Sequence, residues 1–146
     1  MPLILTEEQT LLQDAADGFL NENAPIAHLR RLRDSRDPDG VSRDLWRAFG
    51  EMGFSGVVIP EEDGGSGLGA VEAGVIAESL GRTLTPSPFM SSSVLAATVL
   101  KAAGSEAQKA WLGRIAAGEA ILSLAVDEGP KHAPAKIAAR AERSGN

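Results

Sequence analysis

The chain has no cysteine, which excludes disulfides, zinc–thiolate centres and thiol catalysis. Aromatic residues make up only 4% of its 146 residues. Ala and Leu supply the apolar volume instead, and both favour helix. No apolar run reaches the ~18 residues of a membrane span, and no basic, apolar leader stands at the N-terminus. A basic surface is also missing. The net charge is −6 and the pI is near 4.9, which argues against nucleic acid or an anionic membrane as partner. There is no internal repeat and no low-complexity tract. These absences leave a soluble, cytoplasmic chain of single-domain size, long enough to bury a core.

What is present is organised around residues 51–70, EMGFSGVVIPEEDGGSGLGA. Gly64, Gly65, Gly67 and Gly69 crowd into six residues, a density expected where backbone must turn sharply or approach closely. Gly65-x-Gly67-x-x-Ala70 follows a strand-like VVI and opens a helix, in outline a dinucleotide-binding turn. Such a turn needs a full buried strand before it and an acidic residue about 20 positions later. Here the apolar run stops at Pro60, three acids (Glu61 to Asp63) stand where a pyrophosphate would approach, and no acid lies near Thr85 to Pro88. The stretch therefore reads as a connection between two helices.

Helices fill the rest of the first 118 residues. Thr6-Glu7-Glu8-Gln9 is a capping box, and Leu12, Ala15, Ala16, Phe19 and Leu20 follow on one face. This first helix is expected over Glu7 to about Asn21, ending before Pro25. Residues 28–40, HLRRLRDSRDPDG, allow a short helix closed by turn chemistry at Asp37-Pro38-Asp39-Gly40. Its four Arg resemble a phosphate or CoA patch, but interleaved Asp34 and Asp37 favour a solvated face. His28 has no second ligand at metal spacing and reads as a surface residue. Ser42 caps a helix with Leu45, Trp46, Phe49 and Met52 inward, and Gly53 ends it. A third helix carries Leu68, Val71, Val75 and Ile76 and ends near Gly81. Glu72 and Glu78, both on it, face different ways and form no acid–base pair; Glu78, beside the apolar stripe, is expected partly buried with a partner such as Arg82.

Residues 89–103, FMSSSVLAATVLKAA, are apolar or small all round with Lys101 the only charge, the pattern of a largely buried helix. Ser91, Ser92 and Ser93 at its start suit close helix packing or, second, a ligand at the helix N-terminus. Gly104 closes it. Ser105-Glu106-Ala107-Gln108 is a second capping box. Ala107, Trp111, Leu112 and Ile115 form the inward stripe of the next helix, which Gly118 ends. The pattern then changes. Ala120 to Val126 and Lys136 to Arg143 have the length and content of strands, with a charged turn from Asp127 to Pro134 between them and a hairpin-like turn at Ser144-Gly145-Asn146. The expected architecture is mainly α: a helical bundle over 1–118, then a short β-ribbon over 119–146 that opens a β-domain.

The order and spacing of several motifs resemble the N-terminal part of an acyl-CoA dehydrogenase. They are the Thr6-Glu7-Glu8-Gln9 helix start, Gly53-x-x-Gly56 leading to Pro60-Glu61 and Gly64-Gly65-x-Gly67, Ala77-Glu78-x-x-Gly81-Arg82, Pro88-Phe89, and Gly104-Ser105-Glu106-x-Gln108 leading to Trp111-Leu112. The resemblance covers the entire chain, and the chain accounts for well under half of such an enzyme. It implies an FAD-dependent oxidoreductase that desaturates acyl-CoA thioesters. A carboxylate base there removes the α-proton, and hydride passes to the flavin. The family's base lies in a C-terminal domain, so no residue here is assigned as catalytic and the fragment itself is expected to be inactive. No metal is implied. Placing the family's flavin motif on Val126-Asp127-Glu128 and Lys131-His132 makes Val126, Asp127 and His132 the cofactor-side residues. Val126 departs from the usual Thr and offers no hydroxyl. The helix from Phe89 borders the acyl chain in the family, which makes Ser91, Ser92 and Val94 the substrate-side residues. The implied partners are an acyl-CoA substrate, an electron-transfer flavoprotein as acceptor, and further copies or a second subunit in a homo- or hetero-oligomer. The alternative is a non-catalytic subunit or assembly module with a degenerate flavin site.

Overall fold

A computed structural model describes residues 4–142 and 144. Among the described residues seven α-helices follow one another: α1 Glu7–Asn23, α2 Ile26–Ser35, α3 Arg43–Glu51, α4 Ala70–Arg82, α5 Ala97–Ala103, α6 Glu106–Lys109 and α7 Trp111–Ala116. A π-helical run, Phe89–Ala96, leads directly into α5. The capping boxes form as the sequence dictates. The Gln9 amide donates to Thr6 Oγ1 at 3.2 Å while Thr6 N–H donates to Gln9 Oε1 at 3.0 Å. Ser105 and Gln108 repeat the pattern at the start of α6, and Ser42 Oγ accepts from the Leu45 amide. Each such cap satisfies helix donors that have no partner within the helix.

The core is built on aromatic contact despite the low aromatic content. Phe49 of α3 lies at its centre, with Phe19, Trp46, Phe54 and Phe89 at centroid distances of 5.0–6.0 Å. Leu20, Ile59, Ile76, Leu112 and Ile115 are completely buried around it. The inward stripes differ from expectation at a few positions. Ala15 is exposed, Met52 and Val71 lie about half in solvent, and Trp111 is 42% exposed with the Arg114 guanidinium 4.5 Å over its ring. Helical spacing marks a face, but the width of that face depends on what packs against it.

The strand-like VVI is not a strand. Phe54–Gly56 is a 3₁₀ turn, and the backbone from Gly56 to Pro60 bonds to the glycine cluster. Ser66 N–H donates to Gly56 O at 3.0 Å, Gly67 N–H to Ile59 O at 2.8 Å and Leu68 N–H to Val57 O at 2.8 Å. Gly65 is required here, because a Cβ would collide with Ile59 O and the Gly56 carbonyl. Gly118, at φ +68°, lets the end of α7 meet the backbone of Trp46.

The expected β-ribbon is absent among the described residues, where 119–142 contains no strand. Its polar backbone is met by side chains instead. Asp127 Oδ1 accepts from Ala133 N–H at 2.7 Å, and Glu128 accepts from Ala138 and Ala139 N–H at 2.7 and 2.9 Å. A two-stranded ribbon with no third strand or helix to cover it is marginal, and here local carboxylate bonds replace the ladder. The expected second strand runs to Arg143 and the expected turn includes Gly145 and Asn146; those three residues lie outside the described ones.

Candidate functional site

An apolar groove of about 490 Å³ runs between α4 and the π run with α5. Gly69 and small residues of α4 (Ala70, Ala73, Gly74 and Ala77) form one wall, and Met90, Val94, Thr98 and Lys101 form the other. The groove exists because the Gly and Ala side chains of that wall leave the space beside them unfilled. Met90, Leu95 and Val99 leave apolar surface exposed along the same helix. Lys101 Nζ donates to the Val58 carbonyl at 2.6 Å, which satisfies a backbone acceptor on the buried side and fixes an ammonium at one end of the groove.

The three substrate-side residues separate. Val94 lines the groove. Ser91 Oγ donates to the Pro88 carbonyl at 3.0 Å and is half-buried. Ser92 is fully buried, and its Oγ accepts from Leu122 N–H and donates to Leu122 O, both at 2.8 Å. It therefore ties the segment after α7 to the π run. Ser93 Oγ is buried with no partner among the described residues. The π run was not legible in the sequence; such runs are rare and often mark functional positions.

Neither carboxylate of α4 has the setting of a base. Glu72 accepts from Gln9 Nε2 at 2.7 Å and from Gly69 N–H at 2.9 Å. The Gln9 bond first, then the backbone amides, hold its carboxyl below the usual range. Glu78 pairs with Arg82 at 2.8 Å, the expected partner, but its side chain is 62% exposed rather than buried. Arg82 also meets Asp17 at 2.5 Å, which joins α4 to α1. Among the described residues no cluster of His, Asp or Glu could hold a metal ion.

The cofactor-side residues sit together on the segment after α7. Asp127 Oδ2 pairs with His132 Nδ1 at 2.9 Å, and its other oxygen holds Ala133 N–H. The Ala133 amide first and then His132 keep this carboxyl below its ordinary range. Val126 is 38% exposed. These residues alone do not fit a flavin. Both Asp127 oxygens are engaged locally, Val126 supplies no hydroxyl, and no sheet among the described residues backs them. His28, expected on the surface, is buried at 8% exposure, which helical spacing alone does not show.

Comparison with known proteins agrees with this architecture. The family model described as acyl-CoA dehydrogenase, N-terminal domain, matches residues 6–119. Among curated relatives, the acyl-CoA dehydrogenase IpdE2 of Mycobacterium tuberculosis is 34% identical over 122 residues, covering 83% of this chain and 37% of that enzyme. The (2S)-methylsuccinyl-CoA dehydrogenase of Cereibacter sphaeroides is 38% identical over 125 residues, covering 84% of this chain and 22% of its own length. Among solved structures, the ChsE4–ChsE5 complex from Mycobacterium tuberculosis superposes with a TM-score of 0.78 at 30% identity, over 89% of this chain and 35% of that one. The chain thus spans between about a fifth and two fifths of these relatives.

Proposed function

This chain belongs to the acyl-CoA dehydrogenase family, as its N-terminal helical domain, and from that premise we propose that it forms the helical wall of the acyl site in an FAD-dependent acyl-CoA dehydrogenase. The observation that carries the reading is the groove between α4 and the π run, apolar along its length, lined by Val94 and ending at the Lys101 ammonium. Its small-residue wall leaves room for the hydrocarbon part of a thioester. Removing that surface from water stabilises the complex by ~0.8 kcal/mol per methylene fully buried.

The reaction is the α,β-desaturation of an acyl-CoA thioester, in which FAD supplies the electron chemistry. This chain's contribution is to bind and orient the acyl group and exclude water from it. The base and the flavin pocket are assigned to the remainder of such an enzyme, because no carboxylate lines the groove among the described residues and Glu72 and Glu78 of α4 are held by local partners. We assign residues 1–118 to the helical domain and 119–146 to the entry of the next domain; the last helix ending at Ala116 supports the division, and the Ser92–Leu122 clamp fastens the start of the second stretch to the first. Val126, Asp127 and His132 would approach the flavin only with that domain's sheet behind them. The acceptor is an electron-transfer flavoprotein, and the assembly is a homo- or hetero-oligomer. A second reading, a non-catalytic subunit, is favoured by one observation: Val126 stands where the family's flavin motif has a hydroxyl. Among the described residues no helix is long and apolar enough to cross a membrane.

Titration of octanoyl-CoA and free CoA into the chain tests the groove. Octanoyl-CoA should shift the Val94 and Met90 methyl resonances, free CoA should not, and Val94→Trp should abolish the shifts. Equal shifts from free CoA, or full retention in Val94→Trp, would remove the groove from the account.

A further inference from the structure

The two ends of the acyl groove differ. Ala77 and Met90 line both the groove and an adjoining hollow of about 260 Å³, which places them together at one end. That end is apolar. Val58 and Lys101 mark the other, where Lys101 Nζ donates to the Val58 carbonyl at 2.6 Å. Lys101 is the only charged side chain among the described residues that line the groove. At about 1.5 Å per residue, Ala70 to Ala77 of α4 span ~10 Å, so an extended acyl group of medium length reaches from one end to the other.

An ammonium carries three donors, and the Val58 carbonyl occupies one. Among the described residues Lys101 forms no ion pair; the ion pairs all lie elsewhere. Glu72, in the first turn of α4, is spent on Gln9 Nε2 and the Gly69 amide. Lys101 is half-buried, on a stretch with no other charge from Phe89 to Ala103. Its main-chain acceptor already fixes the ammonium, so little side-chain freedom remains to be lost when a ligand pairs with it. Thr98, three residues earlier on the same helical face, adds a hydroxyl at that end. A hydrocarbon tail lying in the groove leaves these donors to water. A tail that ends in a carboxylate forms charge-assisted hydrogen bonds with them.

We propose that the groove selects acyl-CoA thioesters whose acyl group ends in a second carboxylate, and that Lys101 is the residue that recognises it. The inference rests on the acyl reading of the groove and gives it a direction, with the thioester toward Met90 and the distal end toward Lys101. The pair is partly open to water, and screening limits its strength. A preference of about ten-fold over a methyl-ended chain of equal length is expected.

The test is titration of the full chain with octanedioyl-CoA, thioesterified at one end only, and with octanoyl-CoA, followed by NMR. The CoA part is common to both, so a difference in affinity reports the distal end alone. Both ligands should shift the Val94 and Met90 methyls. Octanedioyl-CoA should bind about ten-fold tighter, it alone should shift the Lys101 ε-methylene, and added salt should shrink its advantage. Lys101→Gln, whose amide can still donate to the Val58 carbonyl, should abolish the preference, and Lys101→Arg should keep it. Lys109→Gln, paired with Glu106 outside the groove, should leave it unchanged. Equal affinities with both ligands at Val94 overturn the proposal and leave the acyl reading standing, as does a preference that persists in Lys101→Gln. Absence of Val94 and Met90 shifts with either ligand removes the acyl reading and the proposal with it.

Discussion

Replacing Ser92 with Ala removes one oxygen and two hydrogen bonds, both to the backbone of Leu122 at 2.8 Å. Each is worth about 1 kcal/mol net, and the Leu122 amide and carbonyl, partly buried, lose their partner as well. The expected loss is therefore about 2 kcal/mol, a large fraction of the stability of a chain this size. With a urea slope of about 1.5 kcal/mol/M, the unfolding midpoint falls by about 1.3 M. Hydrogen exchange locates the effect: the Leu122 amide should lose protection while α1 and α4 keep theirs relative to the lowered global stability. Ser91→Ala is the internal control. Its hydroxyl meets only the Pro88 carbonyl in the preceding turn, and the change should cost under about 0.5 kcal/mol. A Ser92→Ala midpoint indistinguishable from that of Ser91→Ala would refute the claim that this hydroxyl anchors the segment after α7.

Phe49→Ala, which opens the centre of the aromatic cluster, should cost ~3–5 kcal/mol, read as a lowered thermal midpoint or outright unfolding by near-ultraviolet dichroism. Gly65→Ala should destabilise through the collision with the Ile59 carbonyl, whereas Gly74→Ala, which has open space for a Cβ, should be neutral or mildly stabilising on the helix scale; equal effects would contradict the close approach at Gly65. His28 gives a pH dependence. Its folded pKa lies below the model-compound 6.5, so between the two values the unfolded chain binds more protons and stability falls as pH falls through that window. His28→Gln should flatten that slope in urea midpoints measured from about pH 8 to 5, and an unchanged slope would mean that another group titrates there. Finally, the 146-residue chain should show no dehydrogenase turnover with any acyl-CoA and a dye acceptor, because Glu72 and Glu78 are both held by neighbours; measurable turnover would show that it contains a base.

Much of the fold was legible because its signals are local. Thr6 and Gln9, Ser42, and Ser105 with Gln108 declare helix starts within four residues, and each forms the expected cap. Gly53 and Gly118 end helices in the left-handed region. The errors involve packing and backbone partners that the local pattern does not show. Val57 to Ile59 has the content of a strand, but short apolar runs do not declare their class, and its backbone bonds to a glycine cluster rather than to a sheet. The segment after Gly118 has strand composition, but among the described residues no strand lies beside it to complete a ladder. Of the substrate-side residues, Val94 reaches the groove, while the fate of Ser92 was set by Leu122, thirty residues on. Lys101, the lone charge in an apolar helix, was visible, but its Val58 carbonyl partner was not. The resemblance to acyl-CoA dehydrogenases, carried by motif order, named the family that the family model then matched.

The central claim is that the groove between α4 and the π run receives an acyl chain, and intermolecular NOEs test it most directly. With isotope-labelled chain and millimolar acyl-CoA, the account predicts contacts from the acyl methylenes to Val94 and Met90 methyls. If this single wall half-buries each methylene, octanoyl-CoA exceeds butyryl-CoA by about 1.6 kcal/mol, or about 15-fold in affinity. Acyl contacts confined to other surfaces, or equal affinity for the two chain lengths, would contradict it.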